Sequence, residues 1–176
     1  MATTAPLHDM SSVSIRPVTQ DDAAAICAIY NPYVASTAIS FEEAPVEPTE
    51  MAQRIAKVEA AGLPWLVATT GGKPIGYAYA TRWHARPAYR TSVESSVYID
   101  QQVTRSGAGK TLYSALLGEL RARGLHVVIG VVALPNEGSI AFHERFGFQK
   151  VAHFSEIGRK FGRWIDVGYW ELKLEG

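Results

Sequence analysis

The sequence reads as a single α+β domain built on a mixed sheet, and three features carry that reading. Apolar spacing switches repeatedly between the two-residue period of strands and the three-to-four-residue period of helices. The resulting element order is β-α-α-β-β-β-α-β-α-β-β, seven strands and four helices in one domain. Finally, "HVVIGVVAL" at 126–134 is apolar almost throughout, as expected of a strand covered on both faces.

Each element has its own signal. Residues 13–18, "VSIRPV", alternate as a strand does and stop at Pro17 and Thr19. Thr19 and Asp22 form a capping-box pattern before a helix whose apolar positions are Ala23, Ile26 and Tyr30. Asn31-Pro32 is expected to end or interrupt it, and "STAISFEEAPVE" (36–47) reads as irregular. A second helix follows Pro48, with Met51, Ile55 and Val58 on one face and Gly62 as its stop.

Strands come next: "PWLVAT" (64–69), then "KPIGYAYATRW" (73–83) after the turn Gly71-Gly72, then "TSVESSVYID" (91–100). A helix carrying Leu112, Leu116, Leu117 and Leu120 on one stripe ends at Gly124. Beyond the apolar strand, Pro135-Asn136 opens a last helix that Gly147 closes. Two strands finish the chain, "FQKVAHFSEIG" (148–158) and "WIDVGYWELKL" (164–174).

At 176 residues the chain is long enough for one domain with its own core and too short for two comfortable ones. That domain is assigned to 13–176, with 1–12 as a loose N-terminal tail that lacks the basic start and apolar stretch of a secretory signal. Seventeen Lys plus Arg balance seventeen Asp plus Glu, so no net charge points to nucleic acid or a membrane surface. No apolar run approaches the roughly 20 residues needed to span a bilayer. The lone Cys27, set among Ala24, Ala25, Ile26 and Ala28, reads as a small core hydrophobe rather than a nucleophile. A chain with no disulfide partner fits a reducing cytoplasm.

One short stretch carries chemistry: "TRSGAGKTLY" (104–113) lies between a strand and a helix. Its Gly109-Lys110-Thr111 ending suggests a nucleotide-triphosphate loop, but that motif needs a glycine where Thr104 stands. Only 67 residues (176 − 109) follow, and the next strand ends Leu134-Pro135-Asn136 without a metal-binding Asp. The nucleotide reading therefore fails. Glycines two apart at a strand–helix junction aim several backbone N–H groups at one point, where the helix dipole adds about half a positive charge. Such a loop binds a diphosphate without metal, with Arg105 and Lys110 adding charge and Thr111 a hydroxyl. A plain tight turn would look the same in isolation.

The surroundings of that loop resemble a known family. "VYIDQQVTRSGAGKTLYSALL" (97–117) is similar to the motif with which GNAT N-acetyltransferases bind the pyrophosphate of acetyl-CoA, and "LPNEGSIAFHERFGF" (134–148) to the motif that follows it. More narrowly, "WHARPAY" (83–89), "VESSVYI" (93–99) and "KFGRW" (160–164) resemble the phosphinothricin and methionine sulfoximine/sulfone acetyltransferases. The resemblance implies the GNAT fold, a mixed, mostly antiparallel sheet of about seven strands flanked by about four helices. It also implies acetyl-CoA as co-substrate and no metal. Thr104 departs from the Gln or Arg usual at its position.

Acetyl transfer to an amine needs a bound donor, a neutral amine, a polarised carbonyl and a proton for the leaving thiolate. By resemblance, Arg105, Ser106, Gly107, Ala108, Gly109 and Lys110 hold the pyrophosphate, while backbone groups of Val97, Tyr98 and Ile99 meet the pantetheine and thioester. Asn136 and Ser139 add contacts to the coenzyme, and Asn136 also reads as the N-cap of the last helix.

Glu94 interrupts an otherwise apolar and small-residue strand, where a carboxylate is unwelcome unless paired or exposed. In the resembled subgroup the matching Glu is the base, acting through water. His143 stands where the wider family has a Tyr that protonates the thiolate. An imidazole can serve as general acid or as a relay to Glu94, and both remain open.

Acceptor recognition is assigned to Phe41 and Glu42 in the irregular segment and to Trp83, His84, Arg86 and Tyr89. His84 stands where the subgroup has Lys. The aromatic ending "KFGRWIDVGYW" has more apolar positions than one sheet face requires, and in the subgroup the terminal strands form a homodimer interface. Two other readings compete: a protein N-terminal or lysine acetyltransferase, and a non-catalytic acyl-CoA-binding module. The acceptor expected of the leading reading is a small-molecule amine.

Overall fold

The computed structural model describes residues 13–103 and 107–175, and the expected tail at 1–12 lies outside the described residues. Strand β1 (Ser14–Pro17) leads through a 3-10 turn at 20–22 into α1 (Ala23–Ser36) and α2 (Pro48–Ala60). Then come β2 (Trp65–Thr70), β3 (Lys73–Arg82), a 3-10 turn at 87–89 and β4 (Ser92–Ile99). The remainder is α3 (Ala108–Ala122), β5 (Val127–Leu134), α4 (Glu137–Arg145), β6 (Gln149–Lys160) and β7 (Arg163–Lys173). The order of elements matches the one read from spacing.

Seven strands pair in the order β1-β2-β3-β4-β5-β7-β6. Every neighbouring pair is antiparallel except β4 and β5, which run parallel. Alternation along each strand divides the core in two. Ala78, Ala80, Val93, Val128, Val132 and Trp170 pack beneath α3. On the opposite face Trp65, Val67 and Tyr77 pack with α1 and α2. The leucine stripe of α3 is buried as expected, each side chain contributing roughly 2 kcal/mol relative to exposure. Gly124, two residues past α3, takes φ 71°, the left-handed conformation that stops a helix.

Proline 32 does not break its helix. α1 runs through Pro32 to Ser36, although a proline there removes one backbone donor. Contacts beyond it hold the last turn: Val34 is 1% exposed, and the Tyr33 hydroxyl donates to the Ile99 carbonyl at 2.5 Å. Asn31 adds a two-way bond with Val46, accepting from its N–H at 2.9 Å and donating to its carbonyl at 3.0 Å. Tertiary contacts override the local preference of Asn-Pro here.

Candidate active site

The parallel pair at the centre of the sheet is short. Pairing of β4 with β5 runs from Ser92–Val127 to Ser95–Gly130 and stops there, while both strands continue, β4 to Ile99 and β5 to Leu134. β4 stays paired with β3 along its whole length, through Tyr98–Tyr77 and Ile99–Gly76. Alternate backbone groups of Ser96–Ile99 therefore face an opening where a neighbouring strand would have been. Val97, Tyr98 and Ile99 line this stretch of β4.

Glu94 lies one residue before the last paired position, opposite Thr81 on β3 and Ile129 on β5. Its side chain shares the α1/α2 face with Ser96 and Tyr98 and enters a cavity of about 450 Å³. Tyr30, Ser40, Phe41, Tyr79 and Val131 are among its other lining residues. Burial pushes the Glu94 carboxyl above its ordinary pKa, because its charged form loses hydration without a cation to replace it.

His143 lies on the other face. It is a buried residue of α4, and its Nδ1 lies 2.8 Å from the Ser139 carbonyl. A carbonyl only accepts, so Nδ1 carries the proton and Nε2 is left bare. The imidazole packs where Gly130 has no side chain. Burial draws its pKa down, partly offset by the bond to Ser139. Ser95, between Glu94 and Ser96, also points to this face and shares a 2.8 Å hydrogen bond with the Tyr113 hydroxyl. Glu94 and His143 thus flank the start of the β4–β5 opening from opposite sides of the sheet, with no hydrogen bond between them.

At the far end of the opening, α3 begins. Gly107 is its N-cap with φ 74°, a left-handed conformation that glycine adopts at little cost. The first intrahelical bond is Thr111 N–H to Gly107 O at 3.1 Å, so the amides of Gly109 and Lys110 belong to the first turn, where helices bind anions. Ala108 is buried, and Lys110 is exposed at the rim. Gly109 has ordinary room for a methyl group, 3.5 Å from Ile99, so only Gly107 needs glycine for its conformation. Arg105 and Ser106 lie outside the described residues. Asn136 is the N-cap of α4, its Oδ1 accepting from the Ser139 N–H at 3.1 Å. Among the described residues, no group of three or more His, Cys, Asp or Glu side chains could hold a metal ion.

The acceptor residues expected from the sequence are divided. Phe41 and Glu42 line the Glu94 cavity. The Glu42 carboxylate is already engaged, 2.7 Å from the Arg54 guanidinium of α2. Trp83 and His84 instead line a neighbouring cavity of about 640 Å³ with Lys57, Arg82 and Tyr79. Tyr79 borders both cavities. Trp83 stacks edge-on against Tyr169 with centroids 5.9 Å apart, and His84 meets Tyr89 at 5.2 Å. Arg86 precedes the 3-10 turn that carries Tyr89 and lines neither cavity. Tyr30, Tyr79, Ser96 and Val131 are lining residues that spacing did not reveal. Strand alternation places Tyr79 and Ser96 on definite faces, but not which face meets a cavity.

Comparison with known proteins agrees with this fold. Residues 15–168 match the family described as "Acetyltransferase (GNAT) domain". A phosphinothricin N-acetyltransferase of Streptomyces viridochromogenes is 39% identical over 163 residues, covering 93% of this chain and 88% of that protein. An L-methionine sulfoximine/L-methionine sulfone acetyltransferase of Pseudomonas paraeruginosa is 37% identical over 168 residues, 93% and 96% of the two chains. Among solved structures, a phosphinothricin acetyltransferase of Sinorhizobium meliloti in complex with acetyl-CoA superposes with TM-score 0.88 at 34% identity, covering 92% of this chain and 88% of that one.

Proposed function

The chain belongs to the GNAT acetyltransferases, and on that premise we propose that it moves the acetyl group of acetyl-CoA to the amino group of a small amino-acid-like acceptor. The acceptor class is that of phosphinothricin, methionine sulfoximine and methionine sulfone, as the names of its relatives suggest. One observation carries the reading: β4 leaves β5 immediately after Ser95–Gly130, beside a cavity into which Glu94 projects. A volume of about 450 Å³ suits a small molecule.

The opening and the loop fit the coenzyme. Backbone groups of Val97–Ile99 offer bonds along an extended pantetheine arm. The α3 N-terminus at Gly107–Lys110 is suited to the pyrophosphate end, and Asn136 and Ser139, at the start of α4, are further candidates for coenzyme contacts. Acetyl-CoA supplies an activated thioester carbonyl and a thiolate leaving group.

Glu94 takes a proton from the acceptor ammonium through a water, and the freed amine forms the C–N bond as the C–S bond breaks. An N–H of the 97–99 stretch polarises the carbonyl oxygen. His143, neutral with Nε2 bare, is suited to take the second proton that the nitrogen sheds on acylation and to deliver it to the departing thiolate, which leaves as the coenzyme A thiol. Its position across the sheet from Glu94 gives each group its own side of the reaction. Phe41, Tyr79 and Tyr98 exclude water, and Glu42 holds its loop through Arg54. Trp83 and His84, with Tyr89 against His84, belong to the neighbouring cavity that Tyr79 also borders.

Two features bear on context. Ile157, Phe161 and Trp164 project from the β6–β7 hairpin although large and apolar, which supports a homodimer through this hairpin. Cys27 is buried and unpaired, and no helix among the described residues is long and apolar enough to cross a membrane. Both fit a cytoplasmic enzyme.

The test is thiol release from acetyl-CoA with phosphinothricin, methionine sulfoximine, methionine sulfone, ordinary amino acids and a peptide panel. Release with the amino-acid-like set and not with peptides is expected. Release with peptides alone would replace the acceptor class, and no release with any amine would end the enzymatic reading.

A further inference from the structure

Lys160, the first residue of "KFGRW", has no part in the chemistry above, yet it is 3% exposed. Its Nζ donates to the Val34 carbonyl at 2.8 Å and to the Ser40 carbonyl at 2.6 Å. Among the described residues it forms no ion pair with a carboxylate. A buried ammonium without a counter-ion is costly; desolvation lowers its pKa, opposed by the more distant Glu43 and Glu42. Part of the compensation is local, since Val34 supplies one of the last four carbonyls of α1, at the negative end of the helix.

Its second partner identifies what the lysine does. Ser40 belongs to the irregular segment between α1 and α2, which has no strand ladder to hold it. Four residues of that segment, Ile39 to Glu42, form one wall of the cavity beside Glu94. Two positions before Lys160 on the same strand, Gly158 underlies Phe41: a methyl group there would lie 2.2 Å from Cε2 of the ring. β6 therefore holds the segment twice, gripping the Ser40 backbone and leaving room for the Phe41 ring. The Ser40 hydroxyl completes the anchor, sharing a 2.6 Å bond with Tyr30 and accepting from the Glu42 N–H at 3.1 Å.

We propose that Lys160 is a positioning residue for acceptor recognition: its ammonium fixes the 39–42 wall, and Gly158 sets how far Phe41 enters the acceptor cavity. This rests on the reading of that cavity as the acceptor site. Among the described residues, Lys160 has no direct hydrogen bond to the opening between β4 and β5 or to the Gly107 turn. Its one link toward them runs through the last turn of α1, where Tyr33 bonds the Ile99 carbonyl, so coenzyme binding should change far less than acceptor binding.

The experiment is steady-state kinetics with the acceptor identified by the thiol-release panel, together with calorimetry of acetyl-CoA binding. The variants are Lys160→Met, Gly158→Ala, and Gly158→Ala combined with Phe41→Val. For Lys160→Met, acceptor KM rises at least about tenfold, kcat stays within about threefold, and acetyl-CoA Kd changes far less than acceptor KM. For Gly158→Ala, the displaced ring raises acceptor KM and alters the order of preference among acceptors. Shortening Phe41 in that background restores part of the loss, which also keeps the test intact should Lys160→Met fold poorly. Unchanged acceptor KM in Gly158→Ala, or coenzyme Kd and acceptor KM worsening in parallel, would overturn the proposal. Failure of the acceptor reading looks different: wild-type protein would then release thiol with no amino-acid-like acceptor, before any variant is made.

Discussion

Gly130 lends the space of its missing side chain to the imidazole of His143. A Cβ at position 130 would lie 2.6 Å from the ring Cδ2 and 2.7 Å from Nε2. Because Gly130 is also the last β5 residue paired with β4, the imidazole is seated where the strands part. Gly130→Ala should push His143 off this seat without touching the α3 N-terminus. The expected outcome is a fall in kcat of about tenfold or more with acetyl-CoA Kd unchanged, and His143→Ala should give a similar loss. Stopped-flow turnover beside calorimetry checks both; full activity in Gly130→Ala would remove His143 from the reaction.

Glu94 should show a trade between activity and stability. Glu94→Gln is expected to cut turnover at least about tenfold with little change in acetyl-CoA affinity. Burial raises the folded-state pKa of Glu94, so the protonated form is the one the fold prefers. Relative stability is thus greatest below the unfolded pKa and is lost as pH rises through the folded value. At neutral pH the Gln variant should therefore melt higher than wild type, and the difference should vanish in acid. The acidic limb of the wild-type rate profile should lie above the ordinary carboxylate range and disappear in the variant. Melting curves across pH that show no such crossover would count against the buried, unpaired carboxylate.

Gly107 is strained for any other residue, yet a methyl group there meets nothing within 4 Å. Gly107→Ala therefore tests backbone conformation alone, at a cost of about 1–2 kcal/mol for a left-handed non-glycine residue. Relaxation of the turn should re-aim the first amides of α3 and weaken coenzyme A binding about tenfold. Calorimetry with coenzyme A is the readout; unaltered affinity would detach this turn from the diphosphate.

Away from the site, Asp22 ties β1 to the first helix. Its carboxylate accepts both guanidinium bonds of Arg16 at 2.7 Å and the Thr19 N–H at 2.8 Å. The Arg16 bond holds its pKa below the ordinary value. The stabilisation is present above the unfolded carboxylate pKa and is lost as pH falls through the lowered folded value. Asp22→Asn should cost about 2 kcal/mol at neutral pH, a drop of about 5 °C in Tm, with acceptor KM unaltered. The gap should close in strong acid, which thermal melts at two pH values will show.

The β6–β7 hairpin offers a test of assembly. Ile157, Phe161 and Trp164 are 57%, 54% and 61% exposed in one chain, large apolar area left uncovered. Light scattering at micromolar concentration should give the mass of a dimer, and Trp164→Glu should give that of a monomer. A monomeric mass for wild type would end the dimer proposal.

Local chemistry decided much of this protein before any tertiary contact was known. Periodicity set the order of seven strands and four helices, glycines marked the ends of α2, α3 and α4, and a glycine turn before a leucine-striped helix marked a candidate anion site. Each depends on bonds within one turn or between neighbouring residues. Glu94 was legible for a related reason: a carboxylate is conspicuous in a strand of small and apolar residues. Other features required strands and segments far apart in sequence to be brought into register. Where β4 leaves β5, which face Glu94 and His143 each occupy, and the separation of Trp83 and His84 from the Glu94 cavity are of this kind. So are the continuation of α1 through Pro32, held by Tyr33 on Ile99, and the burial of Lys160 against carbonyls more than a hundred residues away. Hydrogen bonds within an element are fixed by its own residues, whereas cavities and buried charges are properties of the space between elements.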